Sequence, residues 1–304
     1  MFDERRSERS GGIPTMNPTE VDVSIRTVTI NIDGADVKVP EGGTVLDGCK
    51  AAGIDTPTLC YSDNLTPVNV CRVCVVELDG SRTLIPSCSR PAEEGMVVQT
   101  DSERVRHSRK MVLEFLGSGV DLSQADDMNS WGEHYGADPT RYGPTAEKID
   151  EDVKIQDDLY IRDYDKCVLC YKCVEACGDD AQHTFAISVS GRGFAARIST
   201  EFDVTLPDSA CVYCGNCVDV CPTNALQFKT EWDLRQAAEW KPEEQTVTTT
   251  VCSYCGVGCN LEMHVQDNTI VKVTSPHDHS VTNGHLCIKG RFGWQYVQPT
   301  ITTR

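Results

Sequence analysis

Nowhere does this sequence stay apolar for the roughly 18 residues that a membrane-spanning helix needs. The adjacent Arg5 and Arg6 are followed by no apolar core of the kind an export signal carries, which argues against twin-arginine export. Basic residues are also scarce: 28 Lys and Arg stand against 46 Asp and Glu, a formal net charge of -18. Phosphate binding needs clustered positive charge, so a nucleic-acid surface is not expected, and basic patches on partner proteins are. No serine-histidine-acid pattern marks a hydrolytic nucleophile. None of the seven histidines has ligand spacing to an unused cysteine. These absences point to a soluble, reducing, cytoplasmic setting.

With 39% apolar residues in 304, no single large core is required, and several small domains are expected. After a polar leader, the stretch SIRTVTINIDGADVKVPEG alternates around Asp33-Gly34 as a hairpin, with Val28, Ile30 and Ile32 on one face. Val45, Leu46, Cys49 and Ala52 follow at helical spacing, and a second hairpin is expected around Asp79-Gly80. Residues 103–116 form an amphipathic helix whose apolar side is Val105, Val112, Phe115 and Leu116, packed beneath the first domain. From Gly117 to Asp158 the chain turns polar, with glycine, proline and asparagine, and is expected to be an extended or loosely structured connector. Residues 231–250 begin helix-like and polar.

The abundant residue is cysteine, with seventeen in tight clusters instead of the dispersed pattern of a disulfide framework. Cys60, Cys71, Cys74 and Cys88 form C-x10-C-x2-C-x13-C, a set that suits a [2Fe-2S] cluster, with tetrahedral zinc as the alternative. CVLCYKCVEAC at 167–177 and CVYCGNCVDVC at 211–221 repeat C-x2-C-x2-C-x3-C, the bacterial ferredoxin run in which the fourth cysteine crosses to the other cluster. That rule assigns Cys167, Cys170, Cys173 and Cys221 to one [4Fe-4S] cluster, and Cys211, Cys214, Cys217 and Cys177 to a second. Cys252, Cys255 and Cys259, with Cys287 returning late, suit a third [4Fe-4S] cluster, and zinc is again the rival. Cys49 remains, as a buried packing residue. Gly191-Arg-Gly193-Phe-Ala-Ala196 fits a loose dinucleotide pattern but lies between two strand-like runs, so it reads as a hairpin turn.

In this order the motifs resemble the N-terminal arm of complex I's large iron-sulfur subunit, of hydrogenase diaphorase subunits and of NAD-linked formate dehydrogenase alpha subunits. CSYCGVGC with LCIKGRFG resembles the domain that opens molybdopterin formate dehydrogenases, a likeness that places Lys289 between cluster and pterin. The resemblance implies a multidomain α+β fold with a β-grasp [2Fe-2S] domain. The expected layout is a polar leader at 1–24, a [2Fe-2S] ferredoxin-like domain at 25–102, and a helix with acidic connector at 103–158. A double [4Fe-4S] ferredoxin module follows at 159–230, then a linker at 231–250 and a molybdopterin-oxidoreductase-type [4Fe-4S] domain at 251–304. It further implies an oxidoreductase component, an electron carrier between a flavin/NAD diaphorase subunit and a molybdopterin catalytic subunit or domain. A relay for an NAD-linked hydrogenase, and a redox-sensing or metal-stabilised scaffold, are the alternatives.

Two departures from that pattern stand out. Gly119 lies near the place of a histidine that normally begins a histidine-plus-three-cysteine site, and no cysteine follows until Cys167. The sequence also stops about where the pterin-binding domain is expected, so no complete catalytic site is expected in it.

Overall fold

The computed structural model describes residues 26–296 and 298, so the polar leader lies outside the described residues. Strands β1 (Thr27–Ile32) and β2 (Ala35–Pro40) pair antiparallel across Asp33-Gly34, whose positive φ angles of 51° and 89° suit the tight hairpin turn. Helix α1 (Val45–Ala51) starts on a capping box, with Thr44 and Asp47 satisfying each other's backbone N–H. It lies so close to β1 that a Cβ on Gly48 would meet Ile30 Cδ1 at 2.8 Å. Strands β3 (Val75–Leu78) and β4 (Ile85–Pro86) form the second expected hairpin. Strand β5 (Val97–Gln99) completes a mixed sheet of order β2-β1-β5-β3-β4, in which β1 and β5 run parallel. Cys49 is fully buried in the core between α1 and this sheet.

Helix α2 (Glu103–Gly119) buries Val105 and packs Val112 and Leu116 on the core as its apolar residues suggest, but not Phe115. Val105, Arg109 and Leu113, each four apart, are buried, whereas Phe115 is 56% exposed and stacks on Tyr142. Arg109 also faces inward: its guanidinium donates to the Val75 carbonyl at 3.0 Å and to Tyr135 Oη at 2.6 Å, so a charged residue holds an inward position.

The connector is more ordered than its composition implies. It contains helix α3 (Asp126–Tyr135) and a 3-10 turn at Pro139–Tyr142. A narrow stripe of Met128, Trp131 and Tyr135 packs α3 against α2 and the first domain, and polar residues between them conceal it in the sequence.

Next come β6 (Tyr160–Arg162), α4 (Lys172–Cys177), β7 (Ser188–Ser190), β8 (Arg197–Ser199), α5 (Asn216–Asp219) and β9 (Leu226–Phe228). β6 pairs with β9, and β7 with β8 across Gly191, as the hairpin reading of the glycine pattern requires. The repeat is visible in the backbone: Leu169 and Tyr213 (φ 51° and 55°), then Tyr171 and Gly215 (64° and 72°), are left-handed at equivalent positions.

Helix α6 (Lys229–Gln236) leads to the last sheet, β10 (Thr246–Val251), β11 (Asn260–Gln266) and β12 (Thr269–Thr274), and to helix α7 (Ile288–Phe292). β10 occupies part of the stretch expected as linker, because its TVTTTV run pairs along β11 although every residue of it is exposed. Among the described residues no helix is long and apolar enough to cross a membrane.

Candidate metal centres

The first four cysteines fall into two pairs. Cys74 and Cys88 Sγ are 3.4 Å apart, and Cys60 and Cys71 are likewise hydrogen-bonded. The bond from Cys71 pulls the Cys60 thiol down to about 5, and the bond from Cys88 pulls Cys74 down to about 7; their partners are pushed up in turn. In each pair the shared hydrogen bond eases one thiol toward the thiolate, the form that binds metal. Two pairs of soft donors match a two-iron centre in which each iron takes two protein sulfurs.

In the repeat module each thiol is surrounded by thiols of both runs. Burial pushes Cys170 up to about 12 and Cys167 to about 11, and the charge of Cys221 adds to both. Cys173, wholly buried, has Cys170, Cys221, Cys217 and Cys167 around it. Cys217 has Cys214, Cys177 and Cys211 nearest, then Cys221. Cys177 thus neighbours the thiols of the second run and Cys221 those of the first, and Cys221 lies near Cys217 as well. Donors aim at these sulfurs: Tyr160 Oη lies 3.0 Å from Cys211 Sγ, and backbone N–H groups of Ala186, Tyr213 and Leu226 donate to Cys177, Cys211 and Cys221 at 3.3, 3.4 and 3.5 Å.

The last group is shallower. Cys259 has Cys252, Cys255 and Cys287 as neighbours, but Cys255 and Cys287 are exposed. Lys289, on α7 just beyond Cys287, is exposed as well. Around them Val251, Tyr254, Val257, Ile288 and Tyr296 leave apolar surface open to solvent. Among the described residues no three such side chains close to the spacing of a single bound ion.

The groups also meet end to end. Leu59, Cys60, Val73 and Cys170 share one buried apolar cluster, which brings the first thiol set against the second. Leu65 packs on Ala176 and Val220, and Thr66 donates to both Asp180 oxygens at 2.6 and 2.8 Å. Sequence reasoning overlooked these contacts, because nothing in the spacing of Leu65 or Thr66 distinguishes them from ordinary loop residues.

Comparison with known families matches residues 25–103 to the 2Fe-2S iron-sulfur cluster binding domain, 166–225 to the 4Fe-4S dicluster domain and 245–299 to the molybdopterin oxidoreductase Fe4S4 domain. The chain is an array of three iron-sulfur domains. The array is 33% identical over 277 residues to the NADPH-Fe(3+) oxidoreductase subunit alpha of Geobacter sulfurreducens, covering 89% of this chain and 31% of that one. It is 28% identical over 309 residues to a Staphylococcus haemolyticus protein provisionally named a formate dehydrogenase, covering 88% of this chain and 31% of that one. A chain of an NAD+-reducing [NiFe]-hydrogenase in the H2-reduced state superposes with a TM-score of 0.58 at 27% identity, over 66% of this array and 87% of that chain. The array spans about a third of the length of the first curated relatives it matches.

Proposed function

We propose that the array is the iron-sulfur relay of a formate-dehydrogenase-type oxidoreductase, working in the cytoplasm between a molybdopterin catalytic unit and a flavin/NAD module. Cys60, Cys71, Cys74 and Cys88 would hold a [2Fe-2S] cluster. Three [4Fe-4S] clusters would sit on Cys167, Cys170, Cys173 and Cys221, on Cys211, Cys214, Cys217 and Cys177, and on Cys252, Cys255, Cys259 and Cys287. When bound, such clusters supply one-electron carriers whose potentials answer to hydrogen bonds, charge and burial. The polypeptide excludes water around the middle groups, aims donors at their sulfurs and fixes the order in which the groups meet.

The observation that carries this reading is continuity with one open end. The first thiol set and Cys170 line one buried apolar cluster, which supports a relay without the histidine-plus-three-cysteine site. At the far end Cys255, Cys287 and Lys289 are exposed amid apolar surface, as a face that receives a catalytic unit would be. The likeness to the hydrogenase chain supports a second reading, a relay to a hydrogenase, but the domain at 245–299 favours pterin chemistry.

Iron and sulfide analysis of the purified protein, with identification of what co-purifies, tests the proposal. About 14 irons per chain and a molybdenum or tungsten partner are expected. A zinc-loaded, iron-free protein would make it a scaffold, and a hydrogenase partner would select the second reading.

A further inference from the structure

α7 is short, yet it is where the last domain enters the repeat module. Arg291 on this helix is fully buried at 0% exposure. Its Nη2 donates to Asn216 Oδ1 at 2.9 Å, Nη1 to the Val273 carbonyl at 3.3 Å and Nε to the Cys214 carbonyl at 3.4 Å, and Nη1 pairs with Asp219 at 3.2 Å. Asn216, itself 2% exposed, accepts a second bond on the same oxygen from the Leu286 N–H at 3.0 Å. Asn216 precedes Cys217, and Leu286 precedes Cys287. One side-chain oxygen therefore joins the backbone beside a ligand of one cluster to the backbone beside a ligand of the next.

Fastening alone does not account for this choice of residues. Burying a guanidinium is costly, and an apolar pair of similar volume would hold the two elements at least as firmly. A guanidinium offers what an apolar pair lacks, a positive charge beside Cys214 and a rigid set of bonded contacts between two ligand loops. Electron tunnelling falls steeply with separation and passes more readily through bonded contacts than through gaps. Positive charge near a cluster favours its reduced, more negative state. Asp219, paired with Nη1, opposes that charge in part, while Nε donates to the Cys214 carbonyl.

We propose that Asn216 and Arg291 are positioning residues that hold the last two clusters in electronic contact, with Arg291 raising the potential of the one on Cys211, Cys214, Cys217 and Cys177. The proposal rests on the cluster assignment given under the proposed function. Equivalent positions in the two runs show how specific the arrangement is: where the first has Tyr171, the second has Gly215, and a Cβ there would meet Arg291 Cγ and Phe292 Cζ, each at 3.1 Å.

The test uses the full chain with its clusters, purified without oxygen. Iron content of the unaltered protein comes first, and a value far from about 14 would defeat the cluster assignment before any variant is made. With that content met, paramagnetic resonance of the reduced protein should show magnetic interaction between the last two clusters. Asn216→Leu and Arg291→Met should weaken this interaction and slow electron equilibration with the last cluster about tenfold or more. Arg291→Met should also move the neighbouring cluster to lower potential. Arg291→Lys keeps the charge and loses the fork, so it should hold the potential and still slow equilibration. Unaltered interaction and rate in both truncations would overturn the proposal. If the truncations shed iron, a wild-type rate in Arg291→Lys would overturn it equally, and a slowed one would support it.

Discussion

Tyr160 is a buried phenol whose hydroxyl is 3.0 Å from Cys211 Sγ, while its ring stacks on Phe292 with centroids 6.2 Å apart. Burial, with the nearby Cys217 and Cys211, pushes its own ionisation far up, so the hydroxyl keeps its proton and can donate to a metal-bound thiolate, which has none to give. A donor to a ligand sulfur draws off negative charge and favours the reduced cluster. Tyr160→Phe keeps the ring and removes that donor. We expect cluster content to stay the same and the midpoint potential of the cluster on Cys211 to fall, as measured by a redox titration followed by paramagnetic resonance. The three iron-sulfur domains were legible from cysteine spacing alone, since the ferredoxin run is a local pattern. Tyr160, Asn216 and Arg291 were not, because each acts through a contact distant in sequence, and no local pattern marks a phenol or a guanidinium as facing a sulfur.

Among the elements, α2 and the connector show why an ordered segment can look loose. Glu114 has a 1% exposed side chain in the middle of α2, where it accepts from the Asp138 N–H at 3.2 Å and from Arg141 at 2.9 Å. These bonds tie the 3-10 turn to the helix, and the pattern of glycine and acidic residues gave no sign of them. Glu114→Ala leaves the Asp138 N–H without its acceptor, at a cost of about 1–3 kcal/mol if the site stays dry. Faster proteolytic cleavage within 136–158, with the [2Fe-2S] spectrum intact, is the expected outcome; unchanged cleavage would show that the turn is held by other contacts. Hairpins fared better in the sequence, because Asp-Gly turns and alternation act locally. β5 was missed, since three residues paired in parallel with a distant strand have no periodicity to read.

For the molecule as a whole, the order of domains was readable and their contacts were not. Short loops do the joining: Thr66 reaches Asp180, and Asn64 Nδ2 donates to the Asn283 carbonyl at 3.0 Å, so the loop after Cys60 touches both of the other domains. On the last domain Lys289 is exposed, and the proposed relay hands its electrons on there. Lys289→Ala should leave iron content and the internal exchange among clusters as they are, and slow only electron exchange with a bound pterin unit. Equal turnover of the assembled variant would remove Lys289 from the path. The exchange of Tyr171 for Gly215 has a wider consequence. Gly215 leaves α7 a place that a Cβ would fill, and the first run carries Tyr171 at the equivalent position. The repeat therefore offers α7 one socket where its symmetry alone would offer two, which makes it a keyed connector.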